Sequence, residues 1–113
     1  METMKIMCTC MNYGGNGASG NLYIYDDKMV FHPSTLMKIL LFWADWKDFS
    51  VNIRSIIGCE KKMLGYLDFQ MDDGNAFKLN VFKKDSIINA VEERRAALYR
   101  KEGKTVPPFV KIG

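Results

Sequence analysis

The side chains of this sequence whose types and spacing could do chemistry are two close cysteines, one histidine, two aspartate pairs and two lysine pairs. Cys8-Thr9-Cys10 has the look of half a metal site. A four-ligand zinc site needs further Cys or His partners. The chain offers only Cys59 and its single histidine, His32, with no second close cysteine pair, so no metal and no other cofactor is expected. In a strand Cys8 and Cys10 point to the same face, where small buried hydrophobes are the simpler reading. An odd count of three cysteines argues against a disulfide framework and for a reducing compartment. His32 has no Ser or Cys joined to it by a recognisable nucleophile motif. Asp26-Asp27 and Asp72-Asp73 sit beside Lys28 and Gly74, in stretches that read as turns. Adjacent Asp residues are common turn formers, and acid–base work needs a sheltered cleft that separates two pKa values. No catalytic residues, and no enzyme, are expected.

Gly15-x-Gly17-x-x-Gly20 matches the dinucleotide fingerprint letter for letter. That fingerprint works only where a helix N-terminus follows and receives the pyrophosphate. Here Asn21-Leu22-Tyr23-Ile24-Tyr25 follows, which is strand-like, so the glycines read as a hairpin loop. A Walker-type Gly-Lys-Ser/Thr ending is absent as well.

The lysines remain. Phosphate recognition wants Lys or Arg brought by several loops to one place. Lys28, Lys61, Lys62, Lys83 and Lys84 are the candidate ligand-binding residues, with an ordinary solvated surface as the alternative. The net charge is +3, unevenly spread. Residues 1–82 carry 8 Lys/Arg against 9 Asp/Glu, and residues 83–104 carry 7 against 4. That excess is too slight for a nucleic-acid stripe, and the aromatics match no stacking-platform signature. No nucleic-acid partner is expected.

The elements that must position these lysines are legible from periodicity. Leu67, Phe69 and Met71 alternate with Asp68 and Gln70, and Phe77, Leu79 and Val81 alternate with Lys78 and Asn80. Asp72-Asp73-Gly74-Asn75 between them is a strong turn signal. After Phe82 the period changes from two to about 3.6 residues. Ile87, Ile88, Val91 and Leu98 then share a helical stripe, with Arg94 and Arg95 at its margins. Asp85 or Ser86 is expected to cap this helix and Gly103 to end it. Upstream, strands are expected over Met4–Tyr13, Leu22–Tyr25, Met29–His32 and Phe49–Ile53, with a short strand or connection at Cys59–Lys62. The near-continuous apolar run Leu36–Trp46 is not assigned by periodicity, because a buried strand and a short helix look alike there. The strand that follows it favours a hairpin, hence a strand. The expected fold is mainly β: a barrel or curved antiparallel sheet of about seven strands with one C-terminal α-helix as its lid, in a single domain of 113 residues. Residues 104–113 are expected as an extended, Pro-broken tail.

Gly20-Asn21-Leu22-Tyr23-Ile24-Tyr25-Asp26-Asp27-Lys28-Met29-Val30-Phe31, then Phe49 to Ile56, then Leu64–Phe69 with Asp73-Gly74 and Phe77–Phe82 resemble the corresponding segments of GRAM domains. These belong to the pleckstrin-homology-like (PH-like) superfamily. The resemblance covers residues 10–100 and is that of a small single-domain member of bacterial type. It implies a PH-like fold and a non-catalytic binding module for anionic lipid headgroups at a membrane surface, or for a protein. The five lysines are the side chains that could serve the first. Phe42, Trp43 and Trp46 could serve the second, as an interaction surface for a protein partner or a homodimer, since aromatics are enriched at interface centres. Filling the core is the alternative for them. If Leu36–Trp46 is a strand, both of its faces are apolar, and something beyond the core must cover one of them. No apolar run approaches the ~20 residues of a membrane span and no signal peptide is recognisable. A cytoplasmic protein, peripheral to a membrane where it binds lipid, is the expectation.

Overall fold

The computed structural model describes residues 1–13, 17–35, 39 and 47–113. Eight strands lie in one sheet among them. In chain order they are β1 (Met4–Cys10), β2 (Ala18–Ile24), β3 (Lys28–Pro33), β4 (Phe49–Asn52), β5 (Ile56–Lys61), β6 (Tyr66–Met71), β7 (Ala76–Asn80) and β8 (Val110–Ile112), with one helix, α1 (Lys84–Lys101), between β7 and β8. Their spatial order is β4-β3-β2-β1-β7-β6-β5-β8. Among the described residues the two end strands do not pair, so the sheet curves without closing into a barrel.

Alternation decides which side chains enter the core. Leu22 and Ile24 from β2, Met29 and Phe31 from β3, Leu67 and Phe69 from β6, and Phe77 and Leu79 from β7 are all fully buried in one cluster. The register follows: Leu22 stands opposite Phe31, and Phe69 opposite Phe77. A slip of one residue would turn each apolar set to the wrong face. The β6–β7 turn forms as its sequence predicts. Gly74 takes φ +87, and the Asp73 carboxylate accepts the Asn75 backbone N–H at 2.9 Å.

Gly20 lies inside β2, so the glycine-rich loop ends earlier than its composition predicts. A Cβ there would stand 2.1 Å from the backbone oxygen of His32. The third glycine of the apparent fingerprint is thus required by close strand approach. β4 pairs with β3, with Val51 opposite Met29. Alternation marks a strand but does not name its neighbour. Apart from Ile39, which is helical and exposed, the Leu36–Trp46 stretch lies outside the described residues, and Phe42, Trp43 and Trp46 lie there with it.

Helix α1 packs over β5 and the single helical turn Ile53–Ser55. Ile87, Ile88 and Val91 enter the core as expected, and Leu98 packs against it half-buried. Arg94 and Arg95 are not at the margins of that stripe. They are 4% and 2% exposed. Each uses its guanidinium to hold backbone carbonyls. Arg95 donates to Ile56 at 2.6 Å, to Pro107 at 2.8 Å and to Pro108 at 3.4 Å. Arg94 donates to Ala90 and Glu2, while its Nε has no partner. The N-cap is Lys83, without a side-chain cap bond, in place of Asp85 or Ser86. Ile87 N–H already donates to the Lys83 carbonyl, because the helix must begin early enough to aim Ile87 and Ile88 inward. At the other end Gly103 takes φ +71, and Lys104 N–H returns to the Tyr99 carbonyl, a closure that favours glycine.

The tail is not simply extended. Val110–Ile112 adds to the sheet as β8, parallel to β5, so the sheet is mixed rather than wholly antiparallel. Gly58 makes room for it: a Cβ there would meet the Val110 carbonyl oxygen at 2.4 Å. Lys111 pairs with Glu92 of α1 at 2.6 Å, and Arg95 grips the two prolines upstream.

Candidate functional site

Two loops meet at one end of the sheet. The first leaves β5 and carries Lys61, Lys62 and the tight turn Met63–Gly65. The second joins β7 to α1 and carries Phe82, Lys83 and Lys84. Backbone geometry fixes the first loop. Leu64 has φ 59 and Gly65 φ 82, two left-handed residues in succession that turn the Leu64 side chain outward. For leucine that backbone is costly, and the turn is tied down on both sides. Lys62 N–H donates to the Tyr66 carbonyl at 2.8 Å, and Val81 N–H to the Gly65 carbonyl at 2.9 Å. The Asn80 side-chain amide donates to the Leu64 carbonyl at 3.1 Å. The Lys84 ammonium donates to the Lys62 carbonyl at 3.2 Å, which links the two loops directly.

The result is an open groove of ≈ 530 Å³ whose walls include Lys61, Lys62, Lys83 and Lys84 together with Met63 and Phe82. Four of the five lysines singled out by sequence therefore converge. Lys28 does not. It opens β3, with its ammonium 5.7 Å from the Tyr25 ring, and takes no part in the groove. A lysine after an Asp-Asp turn looks like the other lysine pairs in sequence, yet its hairpin is at the far end of β2.

The lysines are not equivalent. Lys62 Nζ lies 2.8 Å from Asp68 Oδ2, a carboxylate whose side chain is 8% exposed. That hydrogen bond holds the Lys62 ammonium above its ordinary range. Lys61 pairs with Asp85 at 3.3 Å. Lys83 has no side-chain partner among the described residues, and it is the N-cap of α1 without a side-chain cap bond. Positive charge and a helix N-terminus on one side of a groove favour an anion.

Beside this charge stand apolar side chains that sequence reasoning missed. Phe82 is 102% exposed, Leu64 84% and Met63 82%. Met7 of β1 is also exposed and shares a hollow with Phe82. Phe82 follows Val81 and so falls on the outward side of the alternation that buries Phe77 and Leu79. Met63-Leu64 lies directly between Lys62 and a glycine. Those two features were the available signals.

The other chemistry-bearing groups are occupied locally. His32 Nδ1 is 2.7 Å from Asp48 Oδ2, with both side chains well exposed, and the ring meets Tyr23 edge-on at 5.1 Å. Cys8, Cys10 and Cys59 are free thiols. Burial pushes the Cys8 and Cys10 thiols up to about 12 and about 11, which makes them poor nucleophiles at neutral pH. Among the described residues no three His, Cys, Asp or Glu side chains cluster as metal ligands, and no helix is long and apolar enough to cross a membrane.

No family model matches the chain, and no curated protein sequence does. Solved structures do. The C-terminal domain of an unknown protein from Leishmania infantum superposes with a TM-score of 0.63 at 16% identity, over 81% of each chain. The linker-DH/PH domains of p115-RhoGEF superpose with a TM-score of 0.61 at 8% identity, over 83% of this chain and 28% of that one. The fold is PH-like. The hSac2 domain of the human phosphoinositide phosphatase Sac2 agrees, with a TM-score of 0.58 at 7% identity over 97% of this chain and 76% of that one. At such identities the PH-like likeness is one of backbone architecture alone.

Proposed function

We propose that this PH-like chain, a relative of the GRAM domains it resembles in sequence, is a non-catalytic binding module that docks on anionic membrane surfaces. The observation that carries the reading is the convergence of Lys61, Lys62, Lys83 and Lys84 on one groove with Met63, Leu64 and Phe82 exposed at its edge. Cations attract acidic headgroups from a distance, and exposed apolar side chains gain by leaving water for the membrane interface. Either feature alone is common on surfaces, but together on two mutually braced loops they form the amphipathic tip that a peripheral membrane protein needs. Asn80 and Lys84 hold the loops together, so the tip is ordered before it binds and little conformational entropy is lost on contact. That one structural neighbour belongs to a phosphoinositide phosphatase accords with a phosphate-bearing headgroup as ligand.

Charge reversal tests this. Lys83→Glu with Lys84→Glu is expected to lower binding to phosphatidylserine- or phosphoinositide-containing vesicles by at least tenfold at low salt, from roughly 1 kcal/mol per charge at an anionic surface. The loss should shrink as salt screens exposed charges. Lys28→Glu, outside the groove, should bind nearly as well as the parent chain. Sedimentation with vesicles reads both. Equal losses from Lys28 and from the groove pair would point to diffuse charge and against the site.

A further inference from the structure

Resting on the membrane reading above, we infer that Asp85 is a built-in counter-anion of the lysine groove, displaced on binding, which sets how much negative charge a surface must carry before the module docks. The four lysines differ in what holds them. Lys62 is bound to Asp68 at 2.8 Å, a carboxylate that is 8% exposed and fixed in β6. The Lys84 ammonium is engaged by a backbone carbonyl. Lys83 has no side-chain partner among the described residues. Lys61 is held by Asp85 at 3.3 Å, and the Asp85 side chain is 80% exposed with no other side-chain partner among the described residues.

Asp85 sits in the first turn of α1 and lines the groove with the four lysines. Its carboxylate therefore occupies a place a headgroup phosphate would take, beside Lys61 and the opening turn of a helix. Such a pair in water is weak and is easily exchanged. The cost of the exchange is the same for every ligand, but what the ligand returns differs. A headgroup of low charge density replaces one carboxylate by one phosphate diester and gains little. A phosphate monoester, with close to two charges, gains from Lys61 and Lys83 at once. Asp85 thus lowers affinity for every anionic surface, so that only those returning enough charge contact stay bound, which makes it a threshold-setting residue without being a ligand.

Asp85→Asn removes the charge, keeps the shape and leaves the buried face of α1 untouched. It is expected to bind phosphatidylserine vesicles about fivefold more tightly, the weight of one unit charge at such a surface. Vesicles bearing phosphoinositide monoester phosphates, which carry more charge for Asp85 to repel, should gain at least as much. Asp27→Asn, an equal change of net charge in the β2–β3 turn, should alter neither. In a Lys61→Ala background the gain from Asp85→Asn should largely vanish, which a double-mutant cycle measures. A soluble inositol bisphosphate as competitor separates headgroup recognition from recognition of the bilayer.

The outcomes separate cleanly. If the parent binds anionic vesicles and Asp85→Asn binds them no better, the counter-anion inference is overturned and the membrane reading stands. The inference is equally overturned if Asp27→Asn gains as much, or if the gain persists without Lys61. If neither the parent nor Asp85→Asn binds any anionic vesicle, the membrane reading itself fails and the inference falls with it. Binding by Asp85→Asn where the parent binds weakly supports both.

Discussion

Val91→Asp is expected to destabilise the fold by about 4 kcal/mol, the scale of an unpaired charge forced into a core. Val91 is fully buried, in the cluster that also holds Ile87 and Ile88. Arg94 and Arg95 stand one turn further along α1, but their guanidiniums are committed to carbonyls. Either would have to abandon them to reach a carboxylate at position 91. Domains of this size are stable by only about 5–15 kcal/mol, so the loss is a large share of the whole. A thermal midpoint roughly 15 °C lower follows from the usual scaling. A midpoint unchanged within error would mean that α1 is not the lid of this sheet.

Arg95→Met is expected to cost about 2 kcal/mol and, more tellingly, to release the tail. Arg95 binds β5 through Ile56 and the tail through Pro107 and Pro108, and its guanidinium lies 5.6 Å from the Phe109 ring. Methionine matches much of its volume and carries no charge to desolvate, so the cavity is small and the burial cost of the cation disappears. What is lost is the set of charge-assisted bonds that orders three carbonyls. Lysine should not rescue, because one ammonium cannot reproduce a planar fork. β8 is only three residues long and exposed throughout, so with the clamp gone little holds it. Limited trypsin digestion should then cut after Lys104 much faster in Arg95→Met than in the parent. Equal rates of cleavage would contradict the clamp.

These arginines mark where sequence reading of the fold stops. Leu67, Phe69, Phe77 and Leu79 announce their burial by alternation, and Ile87, Ile88 and Val91 by helical spacing, because each pattern is local and the core follows it. Arg94 and Arg95 lie on the same helical face, but a guanidinium is read as solvent-facing unless carbonyls are known to await it. The carbonyls that hold Arg95 come from residues 39, 12 and 13 positions away. β8 leaves no pattern at all, since Val110-Lys111-Ile112 has no buried face and its parallel partner is remote in sequence. The site follows the same rule. The lysine pairs are visible one by one, but only the meeting of the end of β5 with the start of α1 brings them together. That meeting excludes Lys28, which sequence alone placed with them. Phe82 lies where the period changes from two to about 3.6, and neither pattern assigns it a face.

The most direct measurement places a reporter on the tip. Phe82→Cys labelled with a polarity-sensitive fluorophore puts the probe beside Lys83 without altering the lysines. The native thiols Cys8, Cys10 and Cys59, each raised in pKa by burial, react slowly by comparison. On titration with phosphatidylserine-containing vesicles the emission should shift to the blue and rise, as the probe passes from water into the interface. Neutral phosphatidylcholine vesicles should leave it unchanged, and a label at Asp27→Cys should stay in water throughout. An unshifted probe at position 82, or equal shifts at 82 and 27, would contradict membrane docking by this face.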